Sequence, residues 1–196
     1  MPVPPDSAST EMPGKRTNAT LEADLSALLA DRFPGMEITV GHSERWNAPC
    51  VTFRWAGFAE LLPEERFQRL ATVIPEPFRR ERMAGYVWLE LAPEETVDAF
   101  LKLPRSEDVV ERAGGIYADL SRSGFFDALE EALAPSPDKR CGGDFTASVR
   151  ILEEKGFAPE RIVDARLLFI HHGVYCDCQV LQTIRSELAK RYAGVA

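Results

Sequence analysis

Strand-like alternation of apolar and polar residues is confined to three stretches of this chain, and all of them end before residue 93. In "MEITVGHS" Ile38, Val40 and His42 share a face. In "PCVTFRWAGF" Val51, Phe53 and Trp55 lie on one side, with Cys50, Thr52 and Arg54 on the other. In "GYVWLELA" Val87, Leu89 and Leu91 share a face. Around these stretches the apolar spacing is helical. "LEADLSALLADRFPG" has a stripe of Leu21, Leu25, Leu28, Leu29 and Phe33, stopped by Pro34-Gly35. "PEERFQRLATVI" starts with Pro63 and has Phe67, Leu70 and Ile74 in register. Pro93 is expected to open a further short helix through Val97 and Leu101.

The predicted order is therefore α-β-β-α-β-α, a three-stranded sheet with helices, placed at residues 19–105. Residues 1–18, rich in Pro, Ser and Thr, read as a flexible tail with no apolar core of a secretory signal. Beyond residue 105 only helical patches occur, so 106–196 are predicted to be a mainly helical domain. The fold class is α+β. "APSPDKRCGG" reads as an exposed loop in that second half. After it Asp144 is a candidate N-cap and Gly156 a candidate helix stop.

Charge narrows the function classes. The net charge is −8 and is evenly spread, with 12 Lys/Arg against 16 Asp/Glu in residues 1–105. Broad electrostatic binding to nucleic acid or anionic membrane is not expected. Arg66, Arg69, Arg79, Arg80 and Arg82 are interleaved with Glu64, Glu65, Glu76 and Glu81, which reads as a solvated face. No run of about 18 apolar residues occurs, so no membrane span is expected, and four cysteines are too few for a disulfide scaffold. A cytoplasmic protein with protein partners is the expectation. No nucleotide-binding, nucleophile-elbow or zincin motif is present, which argues against those enzyme classes.

The candidate chemistry lies in "IHHGVYCDCQVL". Asp177 is expected to cap the final helix, which places Cys176 and Cys178 at its start. Cys141 precedes another predicted helix, three residues before Asp144. Helix N-termini favour thiolate, the form that binds metal. Cys141, Cys176 and Cys178 with His172, or His171, make a possible Cys3His set suited to zinc. Two other readings stay open. The cysteines can be small residues packing helix ends, or they can form a redox-active thiol group. A labile disulfide involving Cys141 belongs to the last reading, whereas a Cys176–Cys178 bridge is not expected because it would be strained. Cys50 is given no role, and His42 is read as an ordinary hydrogen-bonded histidine.

Two resemblances accompany this reading. "CGGDFTASVRILEEKGF" followed by "HHGVYCDCQVLQTI" resembles the bacterial domain-of-unknown-function family 2695 through Cys141, Thr146, Gly173, Tyr175, Cys176, Asp177, Cys178, Val180 and Leu181. Val174 stands where that family usually has Gly, and Gln179 where it usually has Glu. This resemblance implies no activity. The first half has the element order of BolA-like proteins, which are similar to type II KH domains, with "GFAELLPEERFQRLATVI" at the strand-to-helix junction. It implies a cluster-sharing histidine that the segment Glu65–Arg69 lacks, or an RNA-binding G-x-x-G loop that is also missing. The leading expectation is a non-enzymatic interaction or regulatory protein with a zinc site. A thiol redox enzyme or sensor is the alternative, and an RNA-binding BolA/KH-like module the third.

Overall fold

A computed structural model describes residues 17–134 and 141–192. Within them the expected α+β architecture is present: a three-stranded sheet near the N-terminus and helices through the second half. The chain divides into two compact units. One comprises residues up to Ala59 together with Ala71–Glu95, the other Glu60–Leu70 together with the chain from Thr96. The expected division at residue 105 differs from this partition: residues 60–70 and 96–105 belong with the helical unit.

In the first unit α1 (Asn18–Leu29) opens with Thr17 as N-cap, its hydroxyl accepting from the Thr20 amide. The end of the predicted tail thus belongs to this helix, and residues 1–16 lie outside the described part. Strands β1 (Glu37–Ser43) and β2 (Ala48–Arg54) form an antiparallel hairpin from Glu37 opposite Arg54 to Ser43 opposite Ala48. The turn uses Asn47 at φ 46°, a left-handed conformation that asparagine tolerates. Strand β3 (Val87–Leu91) runs parallel to β2, from Cys50 opposite Val87 to Arg54 opposite Leu91, giving the order β1-β2-β3. A parallel pair needs a crossover. Here it contains α2 (Pro63–Val73) and a helix absent from the sequence reading, α3 (Glu76–Arg82).

Leu21, Leu25 and Leu29 of α1 are buried, as are Ile38, Val51 and Phe53 of the sheet, but Leu28 and Phe67, expected in the buried stripes of α1 and α2, are 36% and 44% exposed. Trp55 is held by its own geometry. Its indole N–H donates to the Pro34 carbonyl at 3.2 Å, and its ring meets Phe33 and Phe58 edge-on at 5.1 and 5.4 Å. The same ring covers Gly57, where a Cβ would come within 2.2 Å of it. His42 is exposed and hydrogen-bonds to Asn47 Oδ1 at 3.3 Å, which agrees with its ordinary reading.

The second unit packs α5 (Ala113–Arg122), α6 (Phe125–Leu133), α7 (Thr146–Glu154) and α8 (Pro159–His171) around one core that includes Leu120, Phe125, Leu129, Leu152, Leu168 and Phe169. The short α4 (Val97–Phe100) begins at a Thr96 cap, three residues after the expected Pro93. The end of the described chain is α9 (Asp177–Gln179), a π-helical segment (Val180–Ile184) and α10 (Arg185–Tyr192), where one continuous helix was expected.

One part of the arginine-rich stretch departs from the solvated-face expectation. Glu65 is 7% exposed and Arg66 1% exposed. Glu65 accepts from its own helix start, the Leu62 amide at 2.7 Å, and forms a two-pronged pair with the Arg166 guanidinium. Arg66 donates to the Leu61 carbonyl at 2.9 Å and lies over the Phe100 ring. Alternating charge on a helix therefore does not here mean that every charge faces water. Fork geometry lets a buried guanidinium be satisfied.

Candidate metal centre

The Cys141 segment is anchored where it runs into α7. Phe145 is buried beside Phe169 at a ring separation of 5.7 Å, which fixes the entry to α7 against the core. The segment that carries Cys176 and Cys178 is set by the end of α8. Gly173, at φ 72°, donates to the Ile170 carbonyl, and Val174 donates to Phe169. This is a Schellman closure with the C″ residue Val174 buried, and it turns the chain back over the helix end. A glycine is needed there because the turn residue is left-handed. Gly156 ends α7 at φ 77° with the same pair of bonds, as its sequence position suggested.

Asp177 joins the two segments. It was expected to cap its own helix. Instead its carboxylate accepts from Ala147 at 2.8 Å and Ser148 at 2.9 Å, the first amides of α7. Asp144 Oδ1 takes the Thr146 amide at 3.1 Å, so two carboxylates share one helix start. The Asp177 amide in turn donates to the Asp144 carbonyl at 2.9 Å. The final helix has no side-chain cap at Cys176, but the Gln179 side-chain oxygen accepts from the Tyr175 amide at 3.0 Å. Sequence reasoning missed this use of Gln179. The signal was its position three residues into the helix, where an acceptor can reach back.

These contacts bring Cys141, Cys176 and Cys178 together. Their sulfur atoms all lie within 4.8 Å of one another, and Cys176 and Cys178 are 3.3 Å apart. All are half-buried and none is in a disulfide. The convergence expected from sequence is present, and three such donors could hold a metal ion.

The fourth expected ligand is not in the set. Neither His171 nor His172 joins the three sulfurs within that distance. His172 precedes the Gly173 reversal whereas Cys176 and Cys178 follow it. Its charged neighbours are His171, and Arg191 and Glu187 of α10. Its Nε2 is buried with no hydrogen-bond partner among the described residues. Burial, then the nearby positive groups, hold the imidazole below its usual pKa.

The protonation of the cluster is uneven. Burial opposes ionisation of Cys141, but amides of Cys178 and Gly143 and the neighbouring thiols pull its pKa below the usual thiol value. Burial raises Cys176. Burial and the two adjacent sulfurs push Cys178 up to about 12. The expectation that helix starts would favour thiolate at all three positions thus holds only for Cys141. The α7 start is already occupied by Asp177 and Asp144, and a second thiolate would sit beside the first. Asp177 itself is 2% exposed, and burial pushes its carboxyl above the usual value despite its amide donors. Crowded anions of this kind are stabilised by a bound cation.

Beside the cluster is a cleft of about 500 Å³. Gly142 and Asp177, chain neighbours of the cysteines, line it with Asp144, Thr146 and Arg150. Cys50 lies in the other unit, buried, with its sulfur 3.9 Å from the Thr52 hydroxyl. No described helix is long and apolar enough to cross a membrane. No family model matches the chain, and neither a curated protein nor a solved structure does.

Proposed function

We propose that this protein is a non-enzymatic regulatory or interaction protein of the cytoplasm, whose helical unit is built around a three-thiolate site for one soft ion. The observation that carries this reading is the meeting of Cys141 with Cys176 and Cys178 from two distant segments. A carboxylate crosses between the same segments to cap a helix. An ion bound there would tie the Cys141 segment to the helix end, and its binding energy would add to folding. Zinc suits an all-sulfur set, with water supplying its fourth corner because His172 stands apart. The motif's resemblance to the domain-of-unknown-function family 2695 fits a shared thiol site. Gln179 keeps the acceptor that a Glu would offer and omits a negative charge beside the sulfurs. The partner is proposed to be another protein, since the charge of −8 disfavours the RNA-binding, BolA/KH-like reading.

The test is metal analysis of protein purified under reducing conditions, followed by zinc titration. One zinc per chain, lost in Cys178→Ser and retained in His172→Ala, supports the reading. A metal-free protein that does not take up zinc removes it.

A second reading rests on the close approach of the sulfurs and the ionisable Cys141. The Cys141 thiolate can attack an external disulfide, and Cys176 can then resolve the mixed disulfide. The two thiols become one internal disulfide, and the external disulfide is reduced to two thiols. Rapid alkylation of Cys141 in metal-free protein, together with reversible formation of that bridge, would favour it.

A further inference from the structure

Three features of the cluster bear on the kind of ion it takes. Among the described residues the donors are sulfur alone, with no ring nitrogen or carboxylate oxygen in the set. The number of donors is three, and ionised they carry three negative charges beside the buried Asp177 carboxylate. The Cys176 and Cys178 sulfurs are 3.3 Å apart. At a bond length of ~2.3 Å, tetrahedral geometry puts sulfurs about 3.8 Å apart, whereas a 3.3 Å separation corresponds to an angle of about 92° at the ion.

Zinc answers these conditions in part. It needs a fourth ligand from outside, and with three thiolates it leaves a net negative charge in a half-buried place. A monovalent ion such as copper(I) satisfies three-coordination but leaves still more negative charge. A trivalent thiophilic centre with a lone pair satisfies all of them. It binds three sulfurs in a pyramid with narrow angles, needs no fourth ligand, and gives a neutral product.

We infer that the three-cysteine cluster is a binding site for a trivalent thiophilic metalloid of the arsenite class. The inference rests on the proposed reading that these thiols act as one donor site. The reaction is a condensation. Arsenous acid exchanges three As–O bonds for three As–S bonds. Each thiol proton leaves with a hydroxyl group as water, so three waters form and no atom changes oxidation state. The cleft beside the cluster is bordered by Gly142 and Asp177, chain neighbours of Cys141, Cys176 and Cys178. Binding fixes the Cys141 segment against the start of α9, and a regulatory protein of this design would report the metalloid through that ordering.

The experiment titrates the reduced full-length protein, without oxygen, with sodium arsenite, phenylarsine oxide and zinc chloride. Phenylarsine oxide has only two exchangeable positions. The readout is residual alkylation of each cysteine by mass spectrometry. One equivalent of arsenite is expected to block Cys141, Cys176 and Cys178 together and to displace zinc. Cys141→Ser is expected to weaken arsenite binding by at least about tenfold and to change phenylarsine oxide binding by less than about threefold, since Cys176 and Cys178 remain. Retained phenylarsine oxide binding and an unchanged circular dichroism spectrum show that this variant is folded. Arsenite blocking only two thiols, Cys141→Ser weakening both arsenicals equally, or bound zinc resisting arsenite would overturn the inference. In the last case the three-thiol site stands and only its ligand class is wrong. Binding of neither zinc nor arsenite overturns both.

Discussion

At the scale of single residues, Asp177 links the two segments that carry the cysteines. Its two oxygens hold the start of α7, and its amide holds the Asp144 carbonyl. Asp177→Ala leaves two amides without their acceptor and is expected to cost about 1–3 kcal/mol, read as a lower urea midpoint. Zinc affinity should fall with it, although Asp177 does not belong to the sulfur set. An unchanged midpoint would show that water replaces the carboxylate without loss. Asp119 makes a different prediction, one of pH. The Arg122 hydrogen bond holds its carboxyl below the usual value, burial opposes this, and Arg161 reinforces it. A depressed folded pKa means stability that is present above the unfolded pKa of ~3.9 and lost as pH falls through the folded pKa. The Tm difference between the protein and Asp119→Asn should therefore be small, positive near neutrality, and vanish in acid. A difference that grows on acidification would contradict the assignment. The cysteine positions were legible in the sequence because three thiols near helix starts stand out in a chain with few cysteines. The capping role of Asp177 was not, because an N-cap is read from local spacing and this carboxylate serves a helix 30 positions upstream. His172 was misplaced for a related reason: proximity in sequence to the cysteines says nothing about the reversal that Gly173 imposes between them.

At the scale of elements, the sheet was readable because its alternation is a local property. Ile38, Val51 and Phe53 are buried as their periodicity required. Helix α3 was not readable, since it buries no residue and carries no apolar stripe. The π-helical segment Val180–Ile184 was also invisible, because its apolar residues fit an ordinary helix as well. Two element-level predictions follow from packing. Gly57→Ala would drive a Cβ into the Trp55 ring, so the ring must leave its position between Phe33 and Phe58. A loss of about 1–3 kcal/mol and a changed tryptophan fluorescence are expected. An unchanged spectrum would mean that the backbone yields instead. Glu65→Ala leaves the Arg166 guanidinium, 13% exposed, without its carboxylate, with the Glu60 carbonyl still accepting from it, and uncaps α2. The expected cost is about 3–5 kcal/mol, whereas breaking the exposed Arg150–Glu154 pair should cost under about 1 kcal/mol. Comparable losses from the two would refute the burial argument.

At the scale of the whole molecule, the chain divides into two compact units whose partition differs from a single boundary at residue 105. Sequence periodicity marks where strands stop, but not that residues 60–70, between β2 and β3, belong with the helical unit. Burial of Glu65 and Arg66 against partners near residues 61, 100 and 166 puts them there, and such long-range partners leave no local trace. The central claim concerns the helical unit alone: Cys141, Cys176 and Cys178 act as one site. Residue-resolved alkylation of reduced protein during zinc titration tests it most directly. The account predicts that all three lose reactivity in parallel and completely at one equivalent of zinc, in the protein and in His172→Ala alike. Continued labelling of Cys141 at saturating zinc, while Cys176 and Cys178 are protected, would contradict it.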